Sequence, residues 1–422
     1  MNNANPHPRW QMIVGAILFA EMLTIAAFTV TVPILPLILA DFFALEGEQL
    51  TRWTGYLSAG PSFAMMILMP VWGILADKFG KRLMLARALA TGILIVGLMS
   101  FVQSPLQLLI LQTLQGGFTG SIAAATVLIL FYTPKGKIVS SLALLQVAIY
   151  VGKSIGPMIG GAVYDQFGGR LNFPITVVIL AIALGVLLAF VPKDASKSQA
   201  ALHKKATQST QNRAKPALHP FLILLIGMTF SIAIAFSLVN SLFVIYVKEM
   251  IHAIPTLADR IGSINGTIMA SANLAVAVGA LAFSRLSKHI KMEKTLLIAV
   301  VGAALFYIPQ IYAPNWQSLL VIRTIESFFV GGVTPALQYF ITRYAHPNRQ
   351  GTIFGINRSF DGLGLTLGPL LGTQLLVFSQ NNFQPVFFTG SLLLLSLAAL
   401  FSLAVYKERK NSPELLCACQ AT

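Results

Sequence analysis

Charge is what this sequence has least of. Only 10% of its 422 residues are Asp, Glu, Lys or Arg, against about 25% in soluble globular chains. Apolar side chains make up 56% before the 33 glycines are counted. No soluble fold of this length hides so much apolar surface, so the composition excludes soluble enzymes and soluble binding modules. Two cysteines exclude a disulfide framework and a Cys-rich metal site. The six histidines show no ligand spacing, and no Ser-His-Asp or paired-carboxylate set falls in a loop. We therefore expect no enzyme activity, no metal and no cofactor.

What is present is a series of long apolar runs, twelve in all, each near or above the roughly 20 residues that a spanning helix needs. They cover 12–39, 53–76, 83–103, 106–132, 138–164, 173–191, 219–247, 261–283, 295–313, 317–342, 352–378 and 384–405. The first is too long for the core of a cleaved leader and carries Glu21, Pro33 and Pro36, so it is expected to remain as a span. The net charge of +15 is explained by topology and not by nucleic acid. If the N-terminus is cytosolic, 21 of the 29 Lys and Arg fall on the cytosolic side, four on the other and four within helices. That asymmetry is the positive-inside pattern, and it predicts both termini in the cytosol.

The expected architecture is all-α: an N-terminal six-helix bundle over 1–191, a basic linker over 192–217, a C-terminal six-helix bundle over 218–406 and a tail over 407–422. The linker is rich in Lys, Ser, Gln and Thr and cannot bury a core. The halves read as copies of one another. Gly152, Gly156, Pro157 and Gly160 follow a G-x-x-x-G-P-x-x-G pattern that Gly364, Gly368, Pro369 and Gly372 repeat 212 residues later. Gln112 and Gln115 correspond to Arg323 and Glu326 at an offset of 211. Parallel six-helix repeats are what rocking-bundle transporters are built from, with the site at mid-membrane between them.

Three segments resemble the major facilitator superfamily. Gly73-Ile74-Leu75-Ala76-Asp77-Lys78-Phe79-Gly80-Lys81-Arg82 resembles its motif A, between helices 2 and 3. Val32-Pro33-Ile34-Leu35-Pro36 resembles the end of helix 1 in its drug:proton antiporters. Gly152 to Gly161, with Gly156, Pro157 and Gly160 inside, resembles motif C on helix 5. The resemblance covers all twelve helices and implies a proton-driven exporter similar to bacterial 12-helix multidrug antiporters, sited in the inner membrane.

The motifs also have a local physical reading. Gly73 and Gly80 are expected to close a tight cytosolic turn, with Asp77 near the positive end of a neighbouring helix. Lys78, Lys81 and Arg82 hold that loop at the anionic leaflet. Phe283 stands at the position equivalent to Asp77 in the second half. The glycines of motif C let another helix approach closely, and Pro157 bends its own helix.

Charged groups within spans are costly and point to function. They are Glu21, Arg87, Lys153, Arg323, Glu326, Arg358 and Asp361. Arg87 lies one turn inside helix 3 and is expected to reach back to the aqueous interface. Arg323 with Glu326, and Arg358 with Asp361, are three apart and share a helix face. These pairs either neutralise themselves or exchange the arginine for a proton or an anionic substrate. Glu21 and Lys153 have no such neighbour and are expected to face each other. A carboxylate removed from water takes up a proton more readily, which makes Glu21 the first candidate for coupling, ahead of Asp361 and Glu326.

Relative to the family pattern, helix 4 carries Gln112 where an arginine is usual, and Lys153 is unusual within motif C. Lys153, Arg323, Arg358 and Gln112 are thus the expected substrate-binding set, suited to a carboxylate-bearing metabolite such as a siderophore as well as to drug-like amphiphiles. The expected partners are a small-molecule substrate, protons and the lipid bilayer, with no nucleic acid and a monomeric chain. An importer or facilitator of a small organic anion is the alternative, and a non-transporting membrane sensor a remote one.

Overall fold

The computed structural model describes residues 9–79, 81–118, 120–192, 220–251, 254–345 and 350–411. Residues 193–217 of the interbundle linker, Gly80, and Cys417 and Cys419 of the tail lie outside the described residues, and of Gly73, Asp77, Lys78 and Lys81 only the backbone is described. Among the described residues, eleven segments are long and apolar enough to cross a membrane. In chain order with a twelfth they are α1 (Trp10–Phe43), α2 (Gly47–Phe79), α3 (Arg82–Met99), α4 (Pro105–Tyr132), α5 (Ser140–Phe167) and α6 (Gly169–Phe190), then α7 (Pro220–Ile251), α8 (Ile261–Leu286), α9 (Met292–Tyr312), α10 (Trp316–Tyr344), α11 (Ile353–Phe378) and α12 (Gln384–Lys407). The twelfth is α2, which has 33 residues and contributes Ser58 and Ser62 to an internal cavity. Among the described residues there is no strand.

Twelve crossings put both chain ends on one face, here called the basic face. Motif A departs from expectation. Its first part, Gly73 to Phe79, continues α2 as helix, and the next helix begins at Lys81. The expected six-residue turn is therefore absent over 74–79, where the chain is helical. Arg82 donates to the carbonyl of Leu188 on α6 at 2.9 Å.

Among the described residues, three spans are broken in mid-course. In α1 the run Val32–Ile34 is a 3-10 turn, since Pro33 and Pro36 remove two backbone donors. The equivalent break in α7 falls at Ser241 and Leu242. In α4 the chain turns at Gly120, whose φ of +110° is open to glycine and strained for other residues.

Motif C explains how each bundle packs, and the two copies do it alike. A side-chain carbon on Gly152, Gly156 or Gly160 would run into the α1 backbone at Met22, Ala26 and Val30. On Gly364, Gly368 or Gly372 it would meet α7 at Phe230, Ile234 and Leu238. Each contact in the second half lies 208 residues later on the first helix (30 to 238) and 212 later on the second (160 to 372). Even the hydroxyl between them is repeated. Thr29 Oγ1 reaches the Gly152 carbonyl at 3.5 Å, and Ser237 Oγ reaches the Gly364 carbonyl at 3.4 Å.

Gly161 does something different from the other motif C glycines. It faces Gly262 on α8, and Gly266 faces the carbonyl of Pro157, so one side of α5 packs inside its bundle and another packs on the opposite bundle. At the end of that seam Asp165 accepts from the backbone N–H groups of Gly262 and Ser263, both at 2.7 Å. These are donors that the first turn of α8 cannot satisfy internally. Asn265 Nδ2 donates to the Pro33 carbonyl at 2.9 Å, and Asn273 Nδ2 to the Lys153 carbonyl at 3.2 Å. The α2–α11 seam is closed by Gly55 against Thr373 and Gly362 against Met66. These contacts run from the face opposite the chain ends to about half-way through the spans.

Candidate functional site

A cavity of about 270 Å³ lies where the broken spans meet. Pro33 and Pro36 come from the break in α1, Gln112 from α4, Asn240 and Ser241 from the break in α7, Asn265 from α8, and Leu365 and Pro369 from α11. Both bundles thus supply its wall. Broken helices suit this place because a backbone freed from its own helix needs polar partners, which a cavity between bundles can provide. Gln112 and Asn265 are buried, so their amides serve this wall and not the lipid.

Behind Asn240 lies a buried ion pair. Arg323 Nη1 is 3.2 Å from Glu326 Oε2, and Arg323 Nη2 donates to Asn240 Oδ1 at 3.3 Å. The guanidinium also sits 5.0 Å from the centre of the Phe243 ring, and Ser327 Oγ donates to Glu326 at 3.3 Å. Both charges are almost completely buried. One side chain, Asn240, separates the pair from the cavity, so the pair stands behind its wall.

Arg358 and Asp361 form the second expected pair at 3.3 Å, with 58% and 27% of their side chains exposed. A guanidinium this open at that depth faces water and not lipid. Lys153 is half-buried on α5, with Nζ 5.5 Å from the centre of the Tyr150 ring. Its charged neighbours are Arg358 and Asp361, reached across the gap between bundles.

This corrects the expected pairing of Glu21 with Lys153. Glu21 has no exposed surface; Ser121 Oγ donates to its Oε1 at 2.9 Å, and its Oε2 has no partner among the described residues. The Gly120 break explains this, because it starts a new helix at Ser121 and aims that hydroxyl at α1. Lys153 instead points out of the N-terminal bundle. The Arg87 guanidinium carbon lies 3.4 Å from the centre of the Trp72 ring, and Trp72 Nε1 donates to the Gly117 carbonyl at 2.6 Å. The cation is thus stacked on an indole. Phe283 is buried against Phe328 and Phe329.

Several residues of the site escaped the sequence reading. Asn240, Asn265 and Asn273 are uncharged, and Asp165 sits near a helix end where an acid attracts no notice. The available signal was amides in the middle of apolar runs, which are as unusual there as charges.

The family model for the Major Facilitator Superfamily matches residues 17–314 and 228–416. The chain is 29% identical over 391 residues to "Multidrug resistance protein MdtG" of Proteus mirabilis, covering 92% of this chain and 94% of the relative. It is 30% identical over 369 residues to the protein of the same name from Escherichia coli K12, covering 86% and 87%. Among solved structures, the nucleoside transporter NupG superposes with a TM-score of 0.73 at 13% identity, covering 94% of this chain and 99% of that one. At that identity the likeness shows the fold alone.

Proposed function

The chain belongs to the major facilitator superfamily and is a multi-pass membrane transporter and not an enzyme; from that premise we propose that it is a proton-coupled exporter of small organic molecules. The observation that carries this reading is that Lys153 of one bundle stands within electrostatic range of Arg358 and Asp361 of the other, which are paired with each other. Rocking the bundles changes the distance between α5 and α11, so it changes what holds Lys153. When Asp361 is ionised it can hold Lys153; when Asp361 takes a proton, Lys153 and Arg358 are free for a substrate carboxylate. Substrate and proton then favour different states of one contact, and each ligand shifts the equilibrium by its differential affinity.

On this reading the exchange expected of Glu21 is carried by Asp361. The basic face is taken as cytosolic, following the positive-inside pattern. Drug-like amphiphiles are the first cargo class, supported by the relatives named for multidrug resistance. Carboxylate-bearing metabolites, siderophores among them, fit the two cations. The test uses purified protein in proteoliposomes with an acidic lumen, offered norfloxacin, which carries a carboxylate, and tetraphenylphosphonium, which does not. Accumulation that a protonophore collapses supports the reading, and equilibration alone, unaffected by the gradient, contradicts it.

A further inference from the structure

The C-terminal bundle contains a second cavity of about 170 Å³, distinct from the central one. It is lined by Thr229 and Phe236 of α7, Gln338 of α10, and Asn357, Arg358 and Asp361 of α11, among others. Leu365 lines both cavities. Asp361, Leu365 and Pro369 are spaced by four and so share one face of α11, which leads from the side cavity past Leu365 into the centre.

Three features say what the side cavity would hold. Asn357 is 7% exposed, and its Oδ1 finds no donor among the described protein groups. A buried carbonyl of this kind needs an N–H or O–H that the described residues do not supply. The charges at the mouth, Arg358 and Asp361, already neutralise each other, which disfavours a ligand of large net charge. Thr229 spends its hydroxyl proton on the Leu225 carbonyl at 3.1 Å, leaving oxygen lone pairs that also call for a donor.

We infer that this pocket is a substrate subsite that takes a compact, uncharged, donor-bearing head group, such as an amide or a diol, while the apolar body of the molecule lies past Leu365 in the central cavity. The inference rests on the reading of the central cavity as the transport path. It also gives the bundles different tasks. Thr229 is the repeat equivalent of Glu21 (21 to 229, the same 208 as 30 to 238), so the C-terminal bundle keeps a cavity where the N-terminal bundle keeps a sealed acid.

Equilibrium binding to the detergent-purified full chain tests this apart from transport. The probes are radiolabelled chloramphenicol, a neutral amphiphile with an amide and two hydroxyls, and tetraphenylphosphonium, which has no hydrogen-bonding group. Asn357→Leu should weaken chloramphenicol binding at least tenfold and change tetraphenylphosphonium binding less than twofold. Thr229→Val, an isosteric change, should weaken chloramphenicol alone by a few-fold and keeps the test available should Asn357→Leu fail to fold. Equal binding of chloramphenicol by wild type and both variants would mean that water alone meets Asn357, and would overturn the subsite, as would wild-type protein that binds no chloramphenicol. Failure of the exporter reading shows separately, as tetraphenylphosphonium that binds but is never accumulated in proteoliposomes.

Discussion

The two bundles share a packing scheme and differ in where they keep charge. Glycines on α5 and α11 meet α1 and α7 through equivalent backbone atoms, down to the hydroxyls of Thr29 and Ser237. The charges follow no such symmetry. The N-terminal bundle holds one isolated buried acid, Glu21, beside a helix broken at Gly120. The C-terminal bundle holds two Arg–acid pairs, on an unbroken α10 and on α11. Lys153 lies between them, since it stands on the first bundle and finds its charged neighbours on the second. Duplicated packing makes two bundles of one shape that can rock as bodies. Divergent polar residues then put both Arg–acid pairs in one of them. Chemistry can change at such positions without disturbing the helix seams.

That comparison can be broken first at the seams. Gly160→Leu and Gly372→Leu place a side chain on the backbones of Val30 and Leu238. Overpacking of a close helix contact against rigid backbone exceeds the about 1–3 kcal/mol typical of cores. Both should abolish folded protein in gel filtration to a similar extent; a large difference between them would mean that the two seams are not equivalent.

A smaller but unequal effect is expected at the pair of positions Arg323 and Gln112. Arg323→Met leaves Glu326 buried without its partner and should cost about 3–5 kcal/mol, read as a fall in thermal unfolding temperature in detergent. Adding Glu326→Leu should recover much of the loss. Gln112→Leu at the repeat-equivalent site replaces a neutral wall residue and should cost well under half as much. Equal losses would remove the asymmetry.

The smallest effect concerns the broken helix. Ser121→Ala takes away the hydrogen-bond donor that the structure gives Glu21, at a cost of about 1–3 kcal/mol for a buried acceptor left unmade. Glu21→Gln combined with Ser121→Ala should lose less, because the charge is gone as well. If the single variant is as stable as wild type, Glu21 has another partner.

Much of this organisation was legible in the sequence. The twelve runs, the repeat and both intrahelical Arg–acid pairs follow from periodicity and spacing, because they depend on residues close in the chain. Motif C also announced its close packing, although not that Gly161 turns to the other bundle. The partners of isolated charges were out of reach. Whether Lys153 meets Glu21 or Asp361 depends on how far each helix is rotated about its axis, and an error of one residue turns a side chain by about 100°, as 3.6 residues make a turn. The side cavity was hidden for the same reason, since Asn357 and Thr229 are ordinary residues until α7, α10 and α11 are brought together. Motif A was misread as a loop because its glycines suggest a turn, whereas the residues between them sustain a helix.

The most direct test of the account asks whether Asp361 couples proton to substrate. In proteoliposomes with an imposed pH gradient, Asp361→Asn should bind norfloxacin and exchange it across the membrane while losing all accumulation above equilibrium. Glu21→Gln, measured alongside, should retain accumulation. The contradicting result is an Asp361→Asn protein that accumulates norfloxacin at the wild-type level while Glu21→Gln does not, which would return the proton to the N-terminal bundle.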